Sequence, residues 1–165
     1  MSKEIPLTQG KVAIVDDDMF DYLNQWKWHI HRSRNTEYAG RSIVRDDGKT
    51  RIELMHRVII HVEKSEYIDH VNGNGLDNAR KNLRVCTNAN NQANRGNSKN
   101  NTSGYKGVTY CKNAKKWKAQ IKHNQRLFHL GYYTDINEAA RSYNEAAKLY
   151  FGEFARANNV SGEIK

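Results

Sequence analysis

Tyr67-Ile68-Asp69-His70-Val71-Asn72-Gly73-Asn74-Gly75-Leu76-Asp77-Asn78-Ala79-Arg80-Lys81-Asn82-Leu83-Arg84-Val85-Cys86-Thr87-Asn88-Ala89-Asn90-Asn91-Gln92-Ala93-Asn94-Arg95 is the stretch around which the chain is organised. Tyr67 to Val71 reads as a short strand. Asn72 to Asn82 is rich in Asn and Gly, residues that tolerate positive φ, and reads as a loop. Leu83 to Cys86 is a second extended piece, after which the chain turns helical. Thr87 suits a helix N-cap, and three residues on stands Asn90, where a capping box would place Glu or Gln. A strand, a polar loop and a helix in this order can gather Asp69, His70 and Asn91 from separated positions.

The Asp69-His70 pair, the Asp77-Asn78-x-x-x-Asn82-Leu83-Arg84 run and Asn91, nine positions after Asn82, resemble the HNH nuclease motif. This motif is the ββα-metal finger of nicking and homing endonucleases. Its phage and intron-encoded branch also carries Asp before the His and Asn as the third letter. The resemblance implies that Asp69 and Asn91 hold one divalent metal ion and that His70 is the general base. It also implies that Asn82 hydrogen-bonds across the loop and steadies the His70 segment. Other members place His at the third letter and a further His four residues on; here those positions are Asn91 and Arg95.

The residue types suit that chemistry. Phosphodiester hydrolysis needs an activated water and something to neutralise charge on the phosphate and the leaving oxygen. Histidine titrates near neutral pH and can take a proton from water. A carboxylate and an amide carbonyl are hard oxygen donors, which favour Mg²⁺ or Mn²⁺ over Zn²⁺. So thin a set, for one ion per site, leaves the rest of the shell to water and phosphate.

The chain has 165 residues, 38% of them hydrophobic, and a mean hydropathy of −0.91. That suffices for one domain or two small ones with small cores. No apolar run reaches membrane-span length and the N-terminus lacks a signal-peptide pattern, so the reading is a chain working in the cytoplasm of its host cell, without a membrane partner. Cys86 and Cys111 form no C-x-x-C pair, so neither a zinc ribbon nor a disulfide is implied. The net charge is +9. It is unevenly spread: residues 1–55 are balanced, whereas residues 99–165 hold twelve basic against five acidic residues, and no acid occurs from Asn78 to Thr134. An acid-free stretch of that length reads as a surface for phosphate.

Residues 1–98 read as an α+β module bearing the finger, itself about residues 55–95. Lys11–Val15 is expected as a strand, Asp16 to Asn24 as a short acid-capped helix, and Trp26–His31 as a strand by its alternation. Tyr38–Val44 and Thr50–Leu54 read as a hairpin about Asp47-Gly48. Met55–His61 reads as a helix, with His56 structural or DNA-facing. His29 and His31 share a strand face without an evident third ligand. Gly96–Gly104 has linker composition and opens a second domain, residues 99–165.

In that domain three strands, about Lys106–Lys112, Lys116–His123 and Arg126–Tyr132, precede a helix from Ile136 to Tyr150 with Asp135 as N-cap. On the second strand Lys116, Lys118, Gln120 and Lys122 share one face and Trp117, Ala119 and Ile121 the other. Tyr105-Lys106-Gly107-Val108, Lys116-Trp117-x-Ala119-x-Ile121, Leu130-Gly131-x-Tyr133 and Glu138-Ala139-Ala140-x-x-Tyr143-x-x-Ala146-Ala147 resemble the plant ethylene-response-factor (APETALA-type) DNA-binding domain. The resemblance implies a three-stranded antiparallel sheet backed by one helix, with the sheet in the DNA major groove. Positions carried over by it are Lys106, Thr109, Lys118, Gln120, Lys122 and His129; Arg95, Lys112, Lys116 and Arg126 are further expected DNA contacts. Where that family reads bases with arginines, this chain has mainly Lys, Thr and His.

The sequence thus points to a metal-dependent, homing-type endonuclease acting on double-stranded DNA. Its rival is a non-catalytic DNA-binding regulator that keeps the nuclease fold. RNA binding through the basic sheet is a third reading, disfavoured by few exposed aromatics. Monomer and homodimer both stay open, as do nicking and double-strand cleavage.

Overall fold

The alternation at the N-terminus builds a hairpin of which the sequence reading recognised one half. In the computed structural model, which describes residues 1–33, 36–63, 65–98 and 100–160, β1 (Ser2–Pro6) pairs antiparallel with β2 (Val12–Asp16). Ile5, Ala13 and Val15 point into a core shared with Leu23, Trp28, Ala39, Met55 and Val58. Helix α1 (Asp17–Leu23) follows without a break, with Asp17 and Asp18 in its first turn, where the helix dipole favours acids. The N-cap Asp16 makes no side-chain cap bond; its carboxylate accepts the Arg80 backbone N–H at 2.8 Å instead.

The strand expected at Trp26–His31 starts later, as β3 (His29–Ser33). The tryptophans produce the alternation for another reason. Trp28 is buried in the core, where its Nε1 donates to Leu23 O at 2.8 Å, and Trp26 lies under the Arg41 guanidinium, 3.7 Å from the ring centre. β3 pairs with β4 (Thr36–Val44), and β4 with β5 (Thr50–Leu54), all antiparallel. The short helix α2 (Met55–Ile59) leads to a two-stranded sheet of β6 (Tyr67–His70) and β7 (Leu83–Cys86).

The chain divides into two compact units, Met1–Thr87 and Asn88–Lys165. Helix α3 (Asn88–Asn94) therefore belongs to the second unit, although the sequence reading grouped it with the first 98 residues. Lys106 supplies a physical reason, since its amine donates to the backbone carbonyls of Ala93 and Arg95. Nor is the segment after α3 a plain linker. Asn101 Nδ2 donates to Tyr105 O at 2.8 Å, Ser103 Oγ to Val108 O at 2.8 Å, and Gly104 N–H to Asn101 Oδ1 at 2.7 Å. These bonds make it an ordered entry to the sheet; Lys99, within it, lies outside the described residues.

The second unit is a three-stranded antiparallel sheet, β8 (Val108–Cys111), β9 (Lys116–His123) and β10 (Arg126–Tyr133), in the order β10-β9-β8, packed against α4 (Ile136–Phe151). Asp135 caps α4 by accepting the Asn137 N–H at 3.0 Å. Ala139, Ala140, Tyr143 and Ala147 are buried on the helix; Val108, Ala119 and Ile121 are buried on the sheet. Small residues let the helix lie close, and the closeness is sharpest at Gly107. There φ is +74°, and an added Cβ would fall 2.1 Å from the Tyr143 ring and 2.6 Å from Gln120 O.

Gly107→Ala combines a clash with backbone and ring with a left-handed conformation. It is expected to destabilise the second unit by on the order of 2–4 kcal/mol, read as a lowered denaturation midpoint for the full chain.

Candidate functional site

The loop between β6 and β7 folds through its own side chains. Asn72 Oδ1 accepts the Asn74 N–H at 2.8 Å, Asn74 Oδ1 the Leu76 N–H at 3.1 Å, and Asp77 Oδ1 the Ala79 N–H at 3.4 Å. Such Asx turns replace the backbone pairing that a loop otherwise lacks. Asn82 spans the loop: its Oδ1 accepts the Asn72 N–H at 3.0 Å and its Nδ2 donates to Asp77 O at 2.7 Å. The loop is also laced to β2, where Ile14 N–H donates to Leu76 O at 2.9 Å and Asn78 N–H to Ile14 O at 2.7 Å.

Asp69 and His70 sit at the end of β6, each 5% exposed. Asp69 is opposite Arg84 in the ladder, and its Oδ2 accepts from Arg84 Nε at 3.1 Å and Nη2 at 2.8 Å. His70 Nε2 lies 3.4 Å from Asn78 Oδ1. Two rings close on it: His56, edge to face with centres 5.1 Å apart, and Tyr38 at 5.8 Å. Burial pushes the His70 pKa below its ordinary value, although Asn78, Asp69 and Asp77 all pull it upward. The neutral form is thereby favoured, the form able to accept a proton.

His56 was read as structural or DNA-facing; it is 5% exposed and packs on the two rings. Its Nδ1 is buried without a hydrogen-bond partner, and burial, then the neighbouring His70 and Arg57, push its pKa down to about 3. Asn78 and Tyr38 are contacts of His70 to which the sequence reading gave no role. Asn78 stood inside a quoted motif; nothing in the sequence singled out Tyr38, which reaches His70 from β4.

Of the expected metal ligands, Asp69 lies in the first unit and Asn91 on α3 in the second. Among the described residues no group of three or more His, Cys, Asp or Glu is placed to hold a metal. The Asp69 carboxylate, a hard oxygen donor of the kind Mg²⁺ and Mn²⁺ take, already accepts from Arg84 through one oxygen. His29 and His31 lie on β3, paired with Gly40 and Tyr38. Both cysteines are free thiols.

On the C-terminal sheet the cross-strand rows are Thr109–Lys118–Tyr132, Gln120–His129, Lys122–Leu127 and Cys111–Lys116. On their outward side Thr109, Lys116, Lys122, Leu127, His129 and Tyr132 are exposed, while Lys118 and Gln120 are half-buried; Lys112 is exposed just past β8, and the exposed Arg126 pairs with His123, whose ring stacks on Tyr150 of the helix. Lys106 stands apart from this set, its amine bound to the carbonyls of Ala93 and Arg95. Burial, then Arg156 and Arg95, push its pKa down to about 8. Arg95 is exposed at the end of α3.

Comparison with known proteins agrees with this layout. The AP2 domain model matches residues 103–153. An uncharacterized HNH endonuclease, L560, of Acanthamoeba polyphaga mimivirus is 28% identical over 155 residues, covering 92% of this chain and 77% of the relative. Protein 3.8 of Escherichia phage T7 is 34% identical over 100 residues, 58% of this chain and 78% of that protein. No solved structure matches. The chain belongs to the HNH endonuclease family: it is a homologue of these two viral proteins and carries an AP2 domain at residues 103–153. No described helix is long and apolar enough to cross a membrane.

The buried histidines predict acid sensitivity. His56 in the folded chain takes a proton only near about pH 3, whereas in the unfolded chain it does so near its ordinary value of 6.5. The unfolded state therefore binds more protons between those limits. Stability present above pH 6.5 is lost as pH falls toward 3, at up to about 1.4 kcal/mol per pH unit for this group. Denaturation midpoints taken at descending pH should fall less steeply for His56→Leu than for the wild type; equal slopes would assign the acid sensitivity to other groups.

Proposed function

We propose that the chain is a metal-dependent endonuclease that nicks or cleaves double-stranded DNA, with β6, β7 and α3 as its ββα-metal finger. The observation that carries the reading is the pairing of Asp69 with a buried His70 that favours its neutral form, at the mouth of a loop spanned by Asn82. Family membership and the AP2 match support it. Under this reading His70 accepts the proton of the attacking water. Asn82 keeps the segment after His70 in register. Asp69, kept in place by Arg84, and Asn91 would hold one Mg²⁺ or Mn²⁺ ion. Bound there, the ion supplies positive charge to the scissile phosphate and the leaving 3′ oxygen.

Residues 99–165 would grip the target. On the outward face of the C-terminal sheet, Lys116, Lys118 and Lys122 would meet phosphates, with Lys112 and Arg126 at its margins, and Thr109, Gln120 and His129 would lie toward base edges; Arg95 would contribute a phosphate contact. The relatives being viral, the site of action would be the cytoplasm of an infected cell.

Supercoiled plasmid incubated with the protein and Mg²⁺, with and without chelator, tests the activity. Nicked or linear product that disappears with chelator is expected. His70→Ala should lower the rate by roughly 10²-fold or more with DNA affinity near wild type. Specific binding without any cutting would favour the non-catalytic regulator.

The sheet makes a separate prediction. Lys122→Ala should weaken binding evenly across sequences and flatten the slope of log affinity against log salt by about 0.9. Gln120→Ala should change which sequence is preferred. Titrations of a target and a scrambled duplex at several salt concentrations distinguish the two effects.

A further inference from the structure

Strand β10 carries a bulge that redirects its side chains. His129 pairs with Gln120, but the preceding residue of β9, Ala119, pairs with Gly131, so Leu130 is an extra residue between them. In a regular strand, residues three apart point to opposite faces. Here the extra residue puts Tyr132, paired with Lys118, on the same outward face as His129, paired with Gln120. The two rings lie 4.7 Å apart, tilted by 58°. Tyr133, packed against the core beneath the sheet, fixes the bulge, since its hydroxyl donates to Leu130 O at 3.0 Å. Gly131 has φ of +140°, and an added Cβ would fall 2.9 Å from the Tyr133 hydroxyl oxygen, so the bulge requires glycine there.

The outward side of β10 is therefore unlike that of β9. β10 presents Leu127, 63% exposed, then His129 and Tyr132, the latter 48% exposed. β9 beside it presents Lys116, Lys118, Gln120 and Lys122. A column of ring and apolar surface runs alongside a column of amines, with no carboxylate among them. Period-two alternation alone would set residues 129 and 132 on opposite faces, so the pair is invisible in the sequence.

A single DNA strand has the matching halves, flat bases beside a line of phosphates. A duplex keeps its base faces inside its own stack and offers only base edges to a groove. The open surface of these rings finds a stacking partner only in a base that has left its pair.

We propose that Tyr132 and His129 form a stacking site for an unpaired base, by which the second unit holds single-stranded DNA, with Lys116, Lys118 and Lys122 on its phosphates. The proposal goes beyond the duplex grip proposed above. The lysines serve both, whereas stacking on the rings serves only a separated strand, such as a frayed end, and none of this depends on cleavage.

Fluorescence anisotropy of the full-length protein, in chelator so that nothing is cut, tests it with three labelled probes of equal length. These are a thymidine homopolymer, the same sugar-phosphate strand without bases, and a duplex. The thymidine strand should bind about 5-fold or more tighter than the abasic strand, the scale of one stacked base. Tyr132→Ala should remove that preference and leave the abasic strand and the duplex near wild type; Tyr132→Phe should retain it. Equal wild-type affinity for the thymidine and abasic strands overturns the proposal, and this comparison decides even if Tyr132→Ala fails to fold. A preference that survives Tyr132→Ala overturns it too, as does a variant that weakens the duplex as much as the single strand. A uridine homopolymer of RNA bound more tightly than the thymidine strand would overturn DNA as the ligand. Single-strand preference lost while duplex binding and plasmid nicking persist would sink this proposal alone and leave the endonuclease reading standing.

Discussion

Two backbone hydrogen bonds, from Ile14 N–H to Leu76 O and from Asn78 N–H to Ile14 O, carry more of this molecule than their number suggests. The loop they fasten is rich in Asn and Gly, and fixing each such residue costs roughly 1–2 kcal/mol of backbone entropy. Its own Asx turns offset part of that cost but do not say where the loop lies. The edge of β2 says so, and β1 with the core beneath it keeps that edge rigid. His70 stands at one end of the loop, Asn82 at the other and Asn78 between them, so the geometry of the candidate site follows from the register of an N-terminal strand.

Both units satisfy backbone polar groups with asparagine side chains. Asn72, Asn74, Asn78 and Asn82 do so in the loop. In the second unit Asn158 Oδ1 accepts the Lys106 N–H at 2.6 Å and its Nδ2 donates to Lys106 O at 3.1 Å, while Asn144 pairs with the backbone of Asn158 through both amide atoms. A primary amide satisfies a donor and an acceptor together and adds no charge. In a chain of net charge +9, read here as meeting phosphate, neutral fasteners leave the electrostatics to the exposed lysines and arginines.

Much of the architecture was legible because local pattern and tertiary demand agree. β9 and α4 lie where alternation and capping put them, since their faces are divided between core and solvent, and β5 lies where the turn about Asp47-Gly48 put it. The misses have local causes. β1 sends only Ile5 inward and ends at Pro6, too faint a signal for a strand. Trp26 and Trp28 imitate alternation while serving the core and a cation–π contact. The boundary between the units is set by carbonyls of α3 that accept a lysine amine, a pairing no composition reveals. At the site, the motif pointed to Asp69 and His70, whereas the ring contacts from Tyr38 and His56 and the amide of Asn78 depend on strands and a helix brought together from far along the chain.

The place of α3 bears on how such a chain diversifies. A recombination joint in the Asn- and Ser-rich segment after Asn94 would look harmless by composition, yet it would part the helix from the Lys106 amine that binds its final carbonyls. A joint beside Thr87 leaves both compact units whole. Exchange of the AP2 unit there would carry α3 along, and with it Asn91, the residue proposed as the second oxygen ligand. Address and metal chemistry would then be inherited as one block, and a new target would arrive with its own ligand.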